Sequence, residues 1–276
     1  MTGPNANWKD KVAFVTGGSS GIGLAIARLL AANGAHVWLA ARERVRLESA
    51  LREVESARSS LTQRCGIVAA DLSVPSEAAE AVSRVVGSVG VPDVVVNSAG
   101  AAHPGYVQAL PLDIFRWMMD TNYYATVYVI KAVLPEMIAR RSGHIINISS
   151  MAGFLGVFGY TAYGASKFAV TGFSESLRAE LKPHGIRVSV AFPPDTDTPQ
   201  LAYENQYKPP ETKAISGAAQ ALSAEKVAQA ILHQAARGHY LIFPGSEARL
   251  FYILSTKLPK SLVFAVMDWL ASQGHK

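Results

Sequence analysis

The chain has a single cysteine, few charged residues and no long uninterrupted apolar segment. Cys65 stands alone in 276 residues, which excludes a disulfide framework and any zinc site built from several cysteines. A lone cysteine also favours a reducing compartment. Only 17% of the residues are charged and 49% are apolar, a balance that excludes a disordered or fibrous protein. The sequence therefore describes a globular protein of a size that folds without disulfides or metal.

The sequence also lacks signals for membrane insertion, secretion and nucleic-acid binding. No apolar run reaches the length of about 18 residues that a membrane span needs, and the N-terminal residues lack the apolar core of a signal peptide. The 26 lysines and arginines outnumber the 21 acidic residues, but they are scattered and not interleaved with aromatic residues. We therefore expect a cytoplasmic protein that binds no nucleic acid.

Short apolar runs rich in β-branched residues alternate with longer helical patterns along the chain. Strands are predicted at 12–16, 37–40, 66–70, 94–97, 145–149, 186–192 and 239–243. Helices are predicted at 23–33, 44–58, 76–89, 112–140, 162–182 and 224–236. Nearly continuous apolar strands are typical of a parallel sheet that is buried on both faces. The pattern predicts one doubly wound α/β domain over residues 1–276, with a proline-rich lid at about 193–222 and an apolar, basic tail at about 246–276.

A glycine-rich turn, TGGSSGIG, occupies residues 16–23, between the first predicted strand and the first predicted helix. Its glycines, Gly17, Gly21 and Gly23, permit a tight turn, so that the backbone N–H groups at the helix N-terminus can face a pyrophosphate. The spacing is GxxxGxG rather than the commoner GxGxxG. A purely structural turn is the alternative, but the position between strand and helix favours a dinucleotide site.

The end of the second predicted strand favours NADP(H) over NAD(H). Folds that bind NAD commonly place an acid there, about 20 residues after the glycines, to bind the ribose 2′-hydroxyl. This chain has Ala40 and Ala41 at that point, followed by Arg42, Arg44 and Arg46. A guanidinium can bind a 2′-phosphate through two hydrogen bonds. We assign Arg42 and Arg46 to the cofactor; the solvated start of a helix is the alternative, above all for Arg46.

The segment YGASK places Tyr163 and Lys167 four residues apart, on one face of a predicted helix. A phenol normally titrates near pH ~10, too high for efficient acid–base catalysis at neutral pH. An ammonium ~4 Å away at an effective dielectric constant of ~20 favours the phenolate by up to ~4 kcal/mol, or ~3 pKa units before desolvation opposes it. Ser150 ends a predicted strand, where active-site groups gather in open α/β sheets. The alternative role of a hydroxyl that caps a turn fits Ser149 better.

Six short motifs follow one another along the chain. They are TGGSSGIG, AADLS with Asp71, NSAG at 97–100, TNYYA with Asn122, INISS with Ser150, and YGASK. In order and spacing they resemble the motifs of the short-chain dehydrogenase/reductase family, and the match covers residues 9–245. The resemblance implies a Rossmann-type sheet of seven parallel strands. It also implies hydride transfer between NADP(H) and a carbonyl or an alcohol.

The resemblance implies a role for each matching residue. Tyr163 is expected to protonate the carbonyl oxygen, while Lys167 lowers the pKa of Tyr163 and holds the nicotinamide ribose. Ser150 is expected to hydrogen-bond the substrate oxygen, and Asn122 to position a water that relays protons. No metal ligand is expected. The residues expected to bind NADPH or NADP are Gly17, Ser19, Ser20, Gly21, Ile22, Gly23, Arg42, Arg46, Asp71, Leu72, Asn97, Ala99, Gly100, Tyr163, Lys167, Pro193, Thr196 and Thr198.

The segment after the sixth predicted strand departs from the general family pattern. It reads PPDTDTP, with Pro194 in place of the usual glycine and Thr196 or Thr198 available for the nicotinamide carboxamide. With the segments 153–169 and 204–216, it resembles the 3-ketosphinganine reductases of that family, which implies NADPH-dependent reduction of a long-chain keto amine in sphingolipid synthesis. Reduction of another lipidic ketone (a steroid, a retinoid or a 3-oxoacyl thioester) and a non-catalytic NADP(H)-binding scaffold are the alternatives. Asp195 and Asp197 either meet the substrate amine or end turns.

Apolar residues near the expected carbonyl site predict a wall for a long alkyl chain, with ordinary packing as the alternative. They are Phe154, Leu155, Val157, Phe158, Tyr160, Phe192, Tyr203 and Tyr207. The tail combines aromatic residues with Lys257 and Lys260, as an interfacial helix on a membrane does, and packing on the domain or on another subunit is the alternative. The resemblance further implies a homo-oligomer, a dimer or tetramer, that pairs through the helices at 112–140 and 162–182.

Overall fold

The computed structural model describes residues 8–217 and 220–275, and its centre is a sheet of seven parallel strands. The strands are β1 (Val12–Thr16), β2 (His36–Ala41), β3 (Cys65–Ala69), β4 (Val94–Asn97), β5 (Gly143–Ile148), β6 (Ile186–Ala191), β7 (Thr196–Asp197), β8 (Leu222–Ser223) and β9 (Leu241–Ile242). The order in the large sheet is β3-β2-β1-β4-β5-β6-β9, while β7 and β8 form a separate parallel pair. The predicted α/β fold with a seven-stranded parallel sheet is confirmed.

Helices cover both faces of the large sheet. They are α1 (Gly21–Ala32), α2 (Arg44–Ser56), α3 (Pro75–Val89), α4 (Leu112–Met118), α5 (Ala125–Arg140), α6 (Thr161–Leu181), α7 (Pro199–Tyr207), α8 (Pro210–Ser216), α9 (Ala224–Ala236), α10 (Ser246–Lys257) and α11 (Lys260–Ser272). Helices α1, α2 and α9 pack on one face, and α3, α5 and α6 pack on the other. Successive side chains of a strand point to opposite faces. Val15 and Leu39 therefore enter one core and Phe14 and Trp38 enter the other, which explains why the strands are apolar at nearly every position.

The helix predicted at 112–140 is divided in the structure. A wider π-helical turn, Met119–Tyr124, separates α4 from α5. Asn122 lies in this turn and bonds both backbone groups of Ala101: its Oδ1 accepts from the amide nitrogen at 2.8 Å and its Nδ2 donates to the carbonyl oxygen at 2.9 Å. Such turns insert an extra residue into a helix and are frequent at functional sites. This one brings Asn122 against the loop that follows β4.

The order in which strands are added reverses between β1 and β4. Strands β2 and β3 lie to one side of this pair, and β5, β6 and β9 lie to the other. The connections after β1 and β4 therefore diverge and leave a crevice at the carboxyl ends of the strands, where open α/β sheets bind ligands. Thr16 joins the two connections. Its Oγ1 accepts hydrogen bonds from the amide nitrogens of Ser98 and Ala99, both at 3.1 Å.

The segment predicted as a lid contains α7 and α8, bordered by β7 and β8. The tail forms α10 and α11, and α11 packs against α8. These two C-terminal helices still expose large apolar side chains, including Phe264 (57%) and Trp269 (62%). A search of the described helices finds none that combines the length and the apolar character needed to cross a membrane.

Candidate active site

A cleft of about 560 Å³ opens at the carboxyl ends of the central strands. Most of the predicted site residues line it. They are Gly17, Ser19, Ser20, Gly21, Ile22, Gly23, Arg42, Arg46, Asp71, Leu72, Ala99, Gly100, Ser150, Tyr163, Lys167, Pro193, Thr196 and Thr198. Two predicted residues, Asn97 and Asn122, are not part of its lining and are almost fully buried.

The glycine turn approaches neighbouring backbone too closely for a side chain. A Cβ at Gly17 would lie 2.6 Å from the carbonyl oxygen of Ser98, and one at Gly23 would overlap the carbonyl oxygen of Gly17. Helix α1 begins at Gly21, and the residue before it, Ser20, makes no side-chain cap hydrogen bond. The first N–H groups of α1 thus border the cleft without a side-chain cap, an arrangement that suits an anionic phosphate.

The three arginines after β2 lie in different environments. Arg42 and Arg46 line the cleft, whereas Arg44 lies outside it and bonds Glu48 at 2.9 Å. The Nε atom of Arg46 lies 3.0 Å from the Glu43 carboxylate. Arg42 is exposed and has no ion-pair partner in the described part of the chain. Arg42 is therefore the guanidinium most available to a phosphate, while Arg46 is shared with Glu43.

Asp71 and Asn97 use their polar groups locally. The Asp71 carboxylate accepts from the amide nitrogen and the hydroxyl of Ser73, at 3.0 and 2.7 Å, and fixes the turn after β3 at the cleft. Asn97 donates to Asn147 Oδ1 at 2.9 Å, and Asn147 donates to Ser174 at 2.9 Å. Asn97 therefore belongs to a buried polar chain between β4, β5 and α6, and its Oδ1 has no hydrogen-bond partner among the described residues. The expectation that its side chain lines the cofactor cleft does not match this placement.

Ser150, Tyr163 and Lys167 meet in the cleft although they come from two parts of the chain. Tyr163 and Lys167 lie one turn apart on α6, with Lys167 Nζ 5.7 Å from the centre of the Tyr163 ring. Ser150 follows β5, and its hydroxyl is hydrogen-bonded to the Tyr163 phenol. Lys167 Nζ donates to the carbonyl oxygen of Ile148 at 3.0 Å, which holds the ammonium at the end of β5.

The cap role predicted for Ser149 belongs to Ser150. Ser150 Oγ accepts from the amide nitrogen of Ala152 at 3.2 Å and caps the short 3-10 turn Met151–Gly153. Ser149 is buried, and its Oγ donates to the carbonyl oxygen of Lys167 at 3.0 Å. A hydroxyl that accepts one hydrogen bond can still donate another. Ser150 can therefore cap the turn and donate to a ligand oxygen at the same time.

The pKa of Tyr163 is raised, not lowered as the sequence suggested. Burial has the largest effect and the Glu204 and Asp195 carboxylates raise the pKa further, whereas the hydrogen bond with Ser150 lowers it. Burial also lowers the pKa of Lys167 to about 8, against an opposite effect of Glu204. The expectation named desolvation as an opposing effect but gave more weight to the charge of Lys167, whereas desolvation is the largest effect on both groups. Tyr163 is thus a protonated phenol here, the form that donates a proton.

Asn122 lies beside Lys167, outside the cleft wall. A Cβ at Gly100 would lie 2.8 Å from Asn122 Oδ1 and 3.4 Å from Lys167 Nζ, so both polar groups face the same point. Asn122 Nδ2 donates to the carbonyl oxygen of Ala101 and to Ser166 Oγ, at 2.9 and 2.8 Å. Its Oδ1 accepts from the Ala101 amide, which leaves one of its two acceptor positions.

Both threonines of the PPDTDTP segment have bonded hydroxyls. Thr196 donates to the carbonyl oxygen of Pro194 at 2.8 Å. Thr198 donates to the carbonyl oxygen of Thr196 at 3.1 Å and accepts from the Leu201 amide at 3.3 Å, which caps α7. A Cβ at Gly21 would lie 3.0 Å from the Thr198 methyl carbon, so this residue lies against the glycine turn. The choice between the two threonines as a nicotinamide contact stays a prediction.

Sequence reasoning missed several residues of the cleft. The C-terminal helices contribute Glu247, Phe251, Met267 and Leu270. Helix α7 contributes Glu204, which is only 6% exposed. Its carboxylate accepts from the Tyr160 hydroxyl at 2.5 Å and from Gln200 Nε2 at 2.9 Å. The sequence signal for Glu204 was an acid between aromatic residues, in the segment YENQY. Only the docking of α7 shows that this acid is buried.

The predicted apolar wall is only partly correct. Leu155, Val157 and Tyr160 line the cleft, whereas the remaining five predicted residues do not. Phe154 and Phe192 pack in a buried cluster beside β6. Tyr203 and Tyr207 pack against the ring of His103.

A second cavity, of about 340 Å³, adjoins the cleft. The two share Val157, Tyr160, Ile215 and Met267. Its other lining residues are mostly apolar and include Phe158 and Phe168, together with Phe264 of α11. A second apolar space therefore lies next to the cleft, on the other side of the residues that the two share.

A parallel sheet with a glycine turn at its switch point, and a protonated tyrosine beside a lysine in the adjoining cleft, define an oxidoreductase of the Rossmann type. The chain matches the family model of the short chain dehydrogenases over residues 11–208. It belongs to that family, and the predicted membership is confirmed.

Curated relatives and solved structures agree with this assignment. The chain is 41% identical over 242 residues to the 3-dehydrosphinganine reductase of Danio rerio, covering 87% of this chain and 72% of the relative. It is 40% identical over 243 residues to the 3-ketodihydrosphingosine reductase of Bos taurus, covering 88% and 72%. A crystal structure of a variant actinorhodin polyketide ketoreductase with NADPH is 30% identical, with a TM-score of 0.74 over 84% of this chain and 94% of that one.

Proposed function

We propose that the protein reduces 3-ketosphinganine to sphinganine with NADPH. The proposal rests on one observation above all. Ser150, Tyr163 and Lys167 converge on one cleft in a chain that is 40–41% identical to two reductases named for this substrate.

The residues of the cleft fit NADPH. The uncapped N–H groups at the start of α1 suit the pyrophosphate, and the exposed Arg42 suits the 2′-phosphate. Asp71 and Leu72 line the same cleft, which supports their proposed contact with adenine, and a ketoreductase of similar fold was solved with NADPH. When bound, the nicotinamide supplies a hydride to the carbonyl carbon.

Tyr163 supplies the proton that completes the reduction. Ser150 donates a hydrogen bond to the carbonyl oxygen, and the Tyr163 phenol transfers its proton to that oxygen as the carbonyl becomes an alcohol. The Lys167 ammonium stabilises the phenolate that remains, across 5.7 Å to the ring centre. The acceptor position left on Asn122 Oδ1 supports its proposed role of holding a water that returns a proton to Tyr163.

The apolar surroundings support a lipid substrate. A long-chain ketone needs apolar space that continues beyond the reacting carbon. The second cavity, which shares Val157 and Tyr160 with the cleft, offers that space for the alkyl chain. An apolar cavity next to the cleft favours a long hydrocarbon chain over a compact ketone.

The proposal is tested by following NADPH consumption with 3-ketosphinganine for the wild type and Tyr163→Phe. We expect turnover by the wild type and a loss of about 10²- to 10⁴-fold in the variant, because a general acid contributes that much. Tyr207→Phe is the matched control, since Tyr207 is 47% exposed and outside the cleft lining. Wild-type protein that binds NADPH but reduces only steroids, retinoids or 3-oxoacyl thioesters shows a different lipidic substrate. Protein that binds NADPH and reduces none of them is a non-catalytic scaffold.

The C-terminal helices support a peripheral membrane contact. The side chains of Leu250, Leu262, Phe264, Val266 and Trp269 are 45–62% exposed, and Lys257 and Lys260 lie among them in sequence. Apolar and basic residues in this combination suit an anionic membrane surface. We propose that the enzyme collects its lipid substrate at a membrane facing the cytoplasm, the reducing compartment that the lone Cys65 favours.

We further propose a homo-oligomer that pairs through α4, α5 and α6. Tyr124, at the end of the π-helical turn, and Phe168 on α6 are 40% and 45% exposed, which supports a contact surface there. Sedimentation velocity of the wild type and of Tyr124→Ala/Phe168→Ala tests it: a variant that sediments as the wild-type assembly contradicts pairing through this face.

A further inference from the structure

Glu204 is a buried carboxylate of the cleft that has no cation in direct contact among the described residues. It is 6% exposed, and its two hydrogen-bond partners, Tyr160 and Gln200, are both neutral. No ion pair of Glu204 occurs among residues 8–217 and 220–275. A buried carboxylate is costly unless a positive charge accompanies it. Burial raises the pKa of Glu204 and outweighs the opposing effect of the Lys208 charge, so a cation in direct contact would stabilise the carboxylate further.

The other carboxylates of the cleft do not share this situation. Asp195 lies 2.9 Å from Lys208 Nζ, a lysine whose side chain is only 2% exposed. Glu43 is paired with Arg46, Glu247 is exposed to solvent, and Asp71 is only partly buried and bonds Ser73. The substrate amine suggested for Asp195 from the sequence is therefore better matched to Glu204, because Asp195 already has a lysine.

Glu204 lies close to the reacting groups. Its carboxylate bonds the Tyr160 hydroxyl, and the Tyr160 ring lies 5.2 Å from the Tyr163 ring, centre to centre. Its charge acts on both Tyr163 and Lys167. An anion is thus placed about one aromatic ring away from the phenol that protonates the carbonyl.

This placement matches the chemistry of an α-amino ketone. In 3-ketosphinganine the amino group is carried by the carbon next to the ketone, so the ammonium must lie near the carbonyl oxygen. We propose that Glu204 binds this ammonium and makes the enzyme selective for keto amines over neutral ketones. The proposal rests on the proposed function, since it assigns the amine of that substrate to a residue of the same cleft. Burial raises the pKa of Glu204, and a bound ammonium would favour its ionised form.

The test compares 3-ketosphinganine with an analogue that carries a hydroxyl in place of the amine. We expect the wild type to prefer the amine in kcat/KM by about 10- to 150-fold, the usual range for a hydrogen bond to a charged group. Glu204→Gln should abolish this preference by lowering kcat/KM for the amine, whereas activity on the hydroxy ketone should be retained or rise, because the charge that opposes ionisation of Tyr163 is removed. Glu247→Gln removes a charge from the exposed rim of the same cleft and should leave the preference unchanged.

Equal losses on both substrates in Glu204→Gln would show a structural role and overturn the proposal. A second measurement separates it from the proposed function: the affinity of the wild type and Glu204→Gln for sphinganine and for the matching diol without the amine. If the wild type does not turn over 3-ketosphinganine, the proposed function is refuted. The ammonium site is still supported if the wild type binds sphinganine more tightly than the diol and Glu204→Gln does not. Should Glu204→Gln not fold, equal affinity of the wild type for the amine and the diol overturns the site, and tighter binding of the amine supports it.

Discussion

Replacing Arg42 with alanine removes the guanidinium that is most available to a 2′-phosphate. Arg42 lines the cleft directly after β2, is exposed, and has no ion-pair partner in the described part of the chain. Arg46 also lines the cleft, but its Nε lies 3.0 Å from the Glu43 carboxylate. A phosphate near Arg46 must compete with that carboxylate. Arg42 should therefore contribute more than Arg46 to the preference for NADPH over NADH.

The expected magnitude follows from the exposure of Arg42. Two unit charges ~4 Å apart interact by up to ~4 kcal/mol near a protein surface, and salt screens an exposed pair further. Hydrogen bonds to charged groups are worth about 1.5–3 kcal/mol. Arg42→Ala should therefore weaken NADPH binding by about 10- to 150-fold. NADH has no 2′-phosphate, so its affinity should change little.

The assay is a fluorescence titration of NADPH and NADH into wild type, Arg42→Ala and Arg44→Ala. Arg44 is the matched control because it belongs to the same segment, lies outside the cleft and bonds Glu48 at 2.9 Å. The loss in Arg42→Ala should shrink at high salt, since a charge pair is being removed. An equal loss for NADPH and NADH, or an unchanged NADPH affinity, would refute the assignment of Arg42 to the 2′-phosphate.

Two further predictions concern Lys167 and the C-terminal helices. Burial lowers the pKa of Lys167 to about 8, so below that pH the fold bears the full cost of a buried ammonium. Lys167→Met should raise the free energy of unfolding by up to about 3 kcal/mol at pH 7, a gain that shrinks as the pH rises above 8 because the wild-type lysine then loses its proton. Urea denaturation between pH 7 and 10 measures the difference in the free energy of unfolding between Lys167→Met and the wild type. A difference that does not change with pH contradicts the prediction. Phe264→Ser/Trp269→Ser should lower flotation with anionic liposomes about tenfold or more, whereas Leu61→Ser, at a 90% exposed leucine outside these helices, should not; equal flotation of all three contradicts a membrane contact.

The sequence predicted those parts of the molecule that local pattern controls. Continuous apolar strands follow from a sheet covered on both faces, and the glycine turn follows from backbone contacts that exclude a Cβ at Gly17. The division of the helix at 112–140 was not predictable in the same way. The π-helical turn is accompanied by two hydrogen bonds between Asn122 and the backbone of Ala101, which lies 21 residues earlier in the chain.

Tertiary packing also decided which candidate side chains reach the cleft. The pattern identified Asn97 as polar at a strand end, but its register on β4 directs it to Asn147 inside the molecule. Phe192 was expected to line the substrate site and is instead fully buried next to Phe154. Glu204 was not identified as a site residue from the sequence, and it is buried by the docking of α7 on Tyr160. Periodicity indicates which residues are apolar or charged, but not which neighbour covers them.

The three buried titratable groups of the cleft link recognition of the substrate to proton transfer. Burial pushes each of them toward its neutral form: it raises the pKa of Tyr163 and Glu204 and lowers that of Lys167. The charge of Glu204 adds to the effect on Tyr163, because a nearby anion opposes the formation of a phenolate. An ammonium bound at Glu204 offsets that anion, so the phenol gives up its proton more easily when a keto amine occupies the cleft than when a neutral ketone does. The same carboxylate therefore favours keto amines twice, once in binding and once in the acidity of Tyr163.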